Sequence, residues 1–438
     1  MNRREFLMVT AGLCLPSGAA DKPVDASSSS VGDPSVTRVA ADKRNRTPYK
    51  DIDWSKAQLV NTTSHGHAPS QSYLDVYRRR NFGLYTISNY WPSAPTMPGR
   101  SIRARHYFVH HDWPLIVNGK RTAGPFDWNE ILKGWKDSLP EEQRKQLPFR
   151  EGGLMFPNWP EGVLEAPNAE HHFYTYDDGR MHHELHVCAP GSDFRSGTFD
   201  AGLRFKVQEH GYTCGSGEHW KTGFDRLIEG LVVPDGGGIT INHPTWSHHR
   251  REQVAEFLDH DARVLGIEVL ENGVNSENYW DWILSTGRQC FGFFVPDWGA
   301  GKVLDEKKDG PDVVFGVNVL VVPELTVEAC LRAYRQGNFY GAASGFGALR
   351  FTKIDFGEKK VVVETDKKAK LEVITARGVV KTVEGTHVEW DVPKKTWGCG
   401  WDGAILDVFC RIKAYALDGS REVLFTQPYM LDCGGWRA

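Results

Sequence analysis

Between Trp54 and about residue 345 the chain alternates short apolar runs with stretches whose apolar positions recur at helical spacing. "SYLDVYRRRNFG" carries a helical pattern that stops at Gly83, and "LYTIS" behind it reads as a strand. Farther on, "GITINHP", "VLGIEVLEN" and "CFGFFVP" read as strands, separated by the helical patterns "RREQVAEFLDHD" and "SENYWDWILSTGR", with "TVEACLRAYRQG" as a last helix. This order predicts parallel strands joined by crossover helices, in an α/β barrel or a layered sheet. Folds of that kind collect their working groups at the C-terminal ends of strands. From residue 346 the helical period fades, and "LRFTKIDF", "KVVVETD", "KLEVITARG", "THVEWDV" and "VFCRIKAYALDG" alternate between turns. That pattern predicts a small antiparallel β-sandwich over residues 346–438.

Two segments depart from the pattern. Residues 92–165 are rich in Pro, Trp and Gly around one helical stretch, "WNEILKGWKDSLPEEQRKQL", and a long insertion of this kind is expected to serve as a lid or substrate-binding loop. Residues 21–55 are small and polar without a period, and read as a flexible linker ahead of a barrel over 56–345. Before them, "MNRREFLMVTAGLCLPSGAADKP" pairs Arg3 with Arg4 ahead of a modest apolar run and ends in small residues. Residues 1–20 thus resemble a twin-arginine export signal, with an apolar run too short to span a membrane. The expectation is an exported protein, periplasmic or extracellular, that meets the twin-arginine machinery already folded. Removing the signal takes Cys14 and leaves seven of the eight cysteines, of which Cys399, Cys410 and Cys433 lie near enough in sequence for one disulfide.

Composition adds two constraints. A chain of 438 residues with 40% hydrophobic and 12% aromatic content can bury a large core. Its 52 basic and 56 acidic residues leave a net charge of −4, which gives no reason to expect a nucleic-acid partner. The 17 histidines and 15 tryptophans are the unusual counts. Several histidines stand at strand ends, where a bland core would place Val or Ile. His65 and His67 in "SHGH" follow the first strand, and side chains at i and i+2 of an extended segment share a face. Glu170 in "PNAEHH" opens another extended stretch, His186 lies in "ELHVCAPG", His243 ends "GITINHP", and Asp297 follows "CFGFFVP". Imidazole and carboxylate suit zinc, manganese or iron, and a carboxylate can bridge two such ions.

The ordered set of His-x-His, Glu, His, "HP" at a strand end and a late Asp resembles the polymerase and histidinol phosphatase (PHP) superfamily of metallohydrolases, in particular its CehA/McbA-type branch. "GGGITINHPTW", "GIEVLEN" and "FTQPYML" match the same pattern, over roughly residues 56 to 435. The resemblance implies a distorted (β/α)7 barrel with metal ions at its mouth. It implies a first ion on His65, His67, Glu170 and Asp297, and a second on Glu170, His186 and His243, with Glu170 bridging. Members with a third ion carry an Asp-His pair where this chain has Asn89 and Tyr90, a His where it has Gly299, and another near Tyr73. With those ligands missing together, two divalent ions are expected, and Tyr73, Asn89, Tyr90 and Trp298 should line an aromatic pocket for substrate.

Other polar residues compete for roles. His171 and His249 are candidates to move protons beside Glu170, and His248 to hold substrate, with His172 and His183 as further candidates. Glu268 in "GIEVLEN" is a candidate to support the ligands. "HHELH" at 182–186 has the wrong spacing for a helical zinc protease, and His106, His110 and His111 lie in the insertion. Arg78, Arg79, Arg80, Arg100, Arg103 and Arg105 are available to a phosphate. The reading is a hydrolase that activates water between two metals, acting on a phosphoester of a small-molecule or saccharide-linked substrate. A carbamate, ester or amide hydrolase on the same residues, and an exported carbohydrate-binding protein with a vestigial metal site, are the alternatives.

Overall fold

The computed structural model describes residues 36–68, 70–88, 156, 158–173, 175, 185–194, 219–310, 312–393 and 407–431, and the backbone of two short strand pairs within 115–122 and 206–213. The chain divides into two units, Met1–Asp33 and Pro34–Ala438, and everything described belongs to the second. The expected signal and most of the insertion lie outside the described residues.

The apolar runs form the strands their patterns predict. β1 (Gln58–Thr62) leads through the His-x-His loop to α1 (Gln71–Arg79) and β2 (Leu84–Tyr85), which pairs in parallel with β3 (Leu164–Glu165). The antiparallel strands β4 (Glu170–Phe173) and β5 (Leu185–Cys188) precede α2 (Trp220–Glu229), β6 (Ile239–Ile241) and α3 (Arg251–Asp259). Then come β7 (Val264–Glu271), β8 (Val274–Asn275), α4 (Glu277–Ser285), β9 (Phe291–Val295), α5 (Gly299–Asp305), β10 (Gly316–Val322), α6 (Val327–Gln336) and β11 (Phe339–Ala343). The rest is strand: β12 (Phe351–Phe356), β13 (Lys360–Thr375), β14 (Gly378–Asp391), β15 (Phe409–Ala416), β16 (Val423–Phe425) and β17 (Tyr429–Met430). α6 illustrates the local logic. The Thr326 hydroxyl accepts from Ala329 N at its start, and Gly337, at φ 72°, takes the left-handed turn that ends it.

This is a mixed α/β fold, and its pairing is less uniform than the alternation of patterns predicts. A six-stranded sheet runs β8-β7-β6-β5-β4 with β9 beside β7; only β6–β7 and β7–β9 are parallel in it. A nine-stranded sheet runs β1-β10-β11-β16-β15-β13-β12, with β14 on β13 and β17 on β15, all antiparallel. β11 pairs with β16, so backbone hydrogen bonds carry one sheet across residue 346, where the change of pattern predicts a separate sandwich. Apolar period cannot see this, because a strand buried on both faces reads the same whatever its neighbour's direction. β9 is such a strand: Phe291, Phe293 and Val295 enter one core, while Phe294 enters the core of Trp220, Phe257 and Trp280.

The segment expected as linker is anchored from Val36 on. Arg44 is buried and donates to the carbonyls of Val264, Gln289, Leu258 and Asp261. Tyr49 joins the core and donates its hydroxyl to Phe339 O at 2.5 Å. Polar composition hides such anchors, since their partners lie more than 200 residues away in sequence. Cys410, one of the three cysteines expected to supply a disulfide, is a free and buried thiol on β15; Cys399 and Cys433 lie outside the described residues.

Candidate metal centre

The loop after β1 and the end of β9 are tied to each other through their backbones. His67 N donates to Asp297 O and Asp297 N to His65 O, each at 3.1 Å, which fixes the His-x-His pair opposite Asp297. Gly66 stands between the histidines because a Cβ there would meet the Tyr77 hydroxyl at 2.7 Å and Thr63 Cγ2 at 3.1 Å. That same hydroxyl donates to His67 O at 3.0 Å. His243 and Asp297 hold φ values of 26° and 48°, a region that non-glycine residues seldom occupy and that concentrates at functional sites.

Four atoms from this frame converge. His65 Nε2 lies 3.2 Å from His67 Nε2, 3.2 Å from Glu170 Oε2 and 3.0 Å from Asp297 Oδ1. His67 Nε2 lies 3.1 Å from both Glu170 Oε2 and Asp297 Oδ1. The other oxygen of Glu170 faces a second group: Oε1 is 2.9 Å from His186 Nδ1, 3.5 Å from His243 Nε2 and 3.7 Å from His172 Nε2. Glu170 thus belongs to both groups, and apart from the partly open Asp297 all these side chains are buried. Glu268 stands behind them, with Oε1 at 2.8 Å from His65 Nδ1 and Oε2 accepting from His243 N at 2.7 Å.

These residues fit a divalent cation. With Nδ1 donating to Glu268, His65 turns Nε2 toward two carboxylate oxygens, so that this nitrogen must either carry a proton or give its lone pair to a cation held between them. The separations of 3.0 to 3.2 Å are close to the roughly 3.4 Å between ligands of a tetrahedral zinc-sized ion. Charge tells the same story. Burial by itself lowers the His65 pKa, but Cys188, Glu268, Glu170 and Asp297 outweigh it and raise the group well above the ordinary imidazole value. Against the same burial, the facing imidazoles, His65 foremost, hold Glu170 and Asp297 well below the usual carboxylate range. Glu271, buried beside Asp297 and Glu268, is pushed up to about 9. The pocket concentrates negative charge and draws positive charge in.

The structure therefore brings His65, His67, Glu170, His186, His243 and Asp297 into one cluster. Trp298 stacks on His67 with ring centroids 4.2 Å apart, and Tyr73 meets Trp298 edge-on at 6.5 Å. Asn89 and Tyr90 lie outside the described residues. His171 is not brought to the cluster: alternation along β4 turns it away from Glu170, and it stacks with Phe173 and Phe194. His249 packs edge-on to Phe257, and His248 is exposed at φ 54°. Arg79 and Arg80 pair with Asp309, and Arg78 lies 3.5 Å from Asp75. Arg100, Arg103 and Arg105 lie outside the described residues. Two residues that the sequence did not single out as site residues belong here. Glu271 had no signal, whereas Trp246, in "HPTWSHH", is 59% exposed with its ring 4.9 Å from His243 and 6.1 Å from His186.

The fold and cluster define a mixed α/β protein with a buried His/Glu/Asp site able to bind metal. No family model matches the chain, and no curated protein matches it. Among solved structures it is similar to a two-domain protein containing a predicted PHP-like metal-dependent phosphoesterase, from Bacteroides vulgatus ATCC 8482. The two are 12% identical over 80% of this chain and 89% of that one, with a TM-score of 0.35, a likeness too faint to carry any argument. No described helix is long and apolar enough to cross a membrane.

Proposed function

We propose that this chain is a metal-dependent hydrolase of the PHP superfamily type, acting with two divalent ions on a phosphoester. The observation that carries the reading is Glu170, whose two oxygens each face a separate set of imidazoles. Bound there, zinc, manganese or iron would supply Lewis acidity and lower the pKa of water. His65, His67 and Asp297 would hold one ion and His186 and His243 the other, with Glu170 shared. Glu268 keeps the His65 proton on Nδ1, leaving Nε2 free to ligate. Trp298 and Tyr73 beside the first set, and Trp246 beside the second, give the site aromatic walls suited to a substrate with a ring, including a saccharide-linked one.

Metal content decides the core of the reading. Elemental analysis of protein purified after metal loading is expected to find two ions per chain in wild type, and Glu170→Ala is expected to lose both. Fewer than one ion in wild type would remove the proposal. Phosphomonoesters and phosphodiesters run against carbamates and aryl esters, with Glu170→Ala as control, then separate the phosphoesterase from its carboxyl-directed rival. The twin-arginine pattern supports export of the folded protein, which cell fractionation checks.

A further inference from the structure

β4 presents two residues to the site rather than one. Glu170 and His172 are i and i+2 on an extended strand, so their side chains share a face, as His65 and His67 do across the cluster. In the register of β4 with β5, His172 is the direct partner of His186, and the two imidazoles stack with centroids 3.6 Å apart and planes at 15°. His172 is buried, and its Nε2 lies 3.7 Å from Glu170 Oε1, beside the 3.5 Å of His243 and the 2.9 Å of His186. At 3.7 Å the contact is wider than a hydrogen bond and near the roughly 3.4 Å expected between two ligands of one tetrahedral ion. A histidine needed only for packing would find a better place with His171 on the apolar face of β4, against Phe173 and Phe194.

We propose that His172 is a further ligand of the second ion, so that Glu170, His172, His186 and His243 together build that site. The inference rests on the metal reading above. Each ion is then gripped by an i, i+2 pair from one extended segment: His65 with His67, and Glu170 with His172.

The test measures binding rather than turnover. Wild type, His172→Ala and His172→Gln are titrated with zinc and with cobalt(II), and bound metal is counted after dialysis. The expected result is two ions on wild type, with the second ion alone weakened in both variants, by at least the roughly 10- to 100-fold that loss of an outer partner costs. Free imidazole should restore part of that loss in His172→Ala. An arm on wild type covers the case in which the variants do not fold. Cobalt(II)-loaded protein should show exchangeable, paramagnetically shifted imidazole N–H signals from five histidines: His65, His67, His172, His186 and His243. Two ions held by the variants with unchanged affinity, or four shifted histidines in wild type, would overturn the assignment and leave the two-metal reading standing. A wild type that binds no metal would end both.

Discussion

Glu268→Gln tests the electrostatic logic of the cluster with a change of one atom. The carboxylate takes the Nδ1–H of His65 at 2.8 Å and the backbone N–H of His243 at 2.7 Å. Glutamine has one oxygen for these two donors. If it keeps the His243 N–H, its amide NH2 faces His65, and the ring must accept at Nδ1 and carry its proton on Nε2, the atom needed for the ion. A lost charge-assisted hydrogen bond of this kind is worth about 1.5–3 kcal/mol. That matches the roughly 10- to 100-fold loss of affinity typical when the partner of a metal-bound histidine is changed. We therefore expect the first ion to bind more weakly by about 1.4–2.7 kcal/mol. The metal-free variant should also lose some stability, since Glu268 there partners a protonated His65, with part of the loss offset by removing a negative charge near Glu170 and Asp297. Competition against a chromophoric chelator gives the affinity, and melting of metal-free and loaded protein gives the stabilities. An affinity within about twofold of wild type would refute the tautomer argument, and a large loss in the metal-free form alone would show Glu268 to be structural.

Gly66→Ala drives a Cβ into the Tyr77 hydroxyl at 2.7 Å; it should cost about 1–3 kcal/mol as overpacking and lower metal occupancy, and Tyr77→Phe should recover part of both in a double-mutant comparison. Trp246→Ala should change stability by no more than about 0.5 kcal/mol, since the ring is mostly exposed, while raising KM for ring-bearing esters more than for methyl esters; equal effects on both would argue against a stacking role. Far from the site, Glu277 lies 2.6 Å from Lys413 Nζ and 3.2 Å from Arg411 Nη2, and although burial opposes them these cations hold its pKa below the ordinary 4.5. A lowered folded-state pKa adds stability that is complete above the unfolded value and disappears as pH falls through the folded one, so wild type should lose more melting temperature from about pH 5 to pH 3 than Glu277→Gln.

Local pattern was enough for most elements. Period, caps and breakers located α6 between Thr326 and Gly337, and a Pro after His243 marked where β6 stops. The six candidate ligands were legible for a related reason: a polar residue ending an apolar strand costs desolvation unless something binds it, so it stands out without a structure. His172 was half legible. Alternation along "EHHF" pairs Glu170 with His172 and sends His171 to the other face, yet which histidine of the two met the cluster depended on where β4 lay.

The sequence alone therefore determined most elements, though not the helices Trp220–Glu229 and Gly299–Asp305, and with them the polar strand ends and the His-x-His geometry, all of which depend on neighbours a few residues away. Tertiary structure decided the rest, because it turns on contacts between segments far apart in the chain. Strand direction is one case, since β1 and β10 pair antiparallel although helical patterns separate the strands around them. The anchoring of residues 36–49 is another, through Arg44 and Tyr49 bonding to carbonyls more than 200 residues away. The charge state of the centre is the third. Glu268 and Glu271 lie on one strand in sequence, but only the fold sets one against His65 and the other beside Asp297, where burial and like charge push its pKa up to about 9.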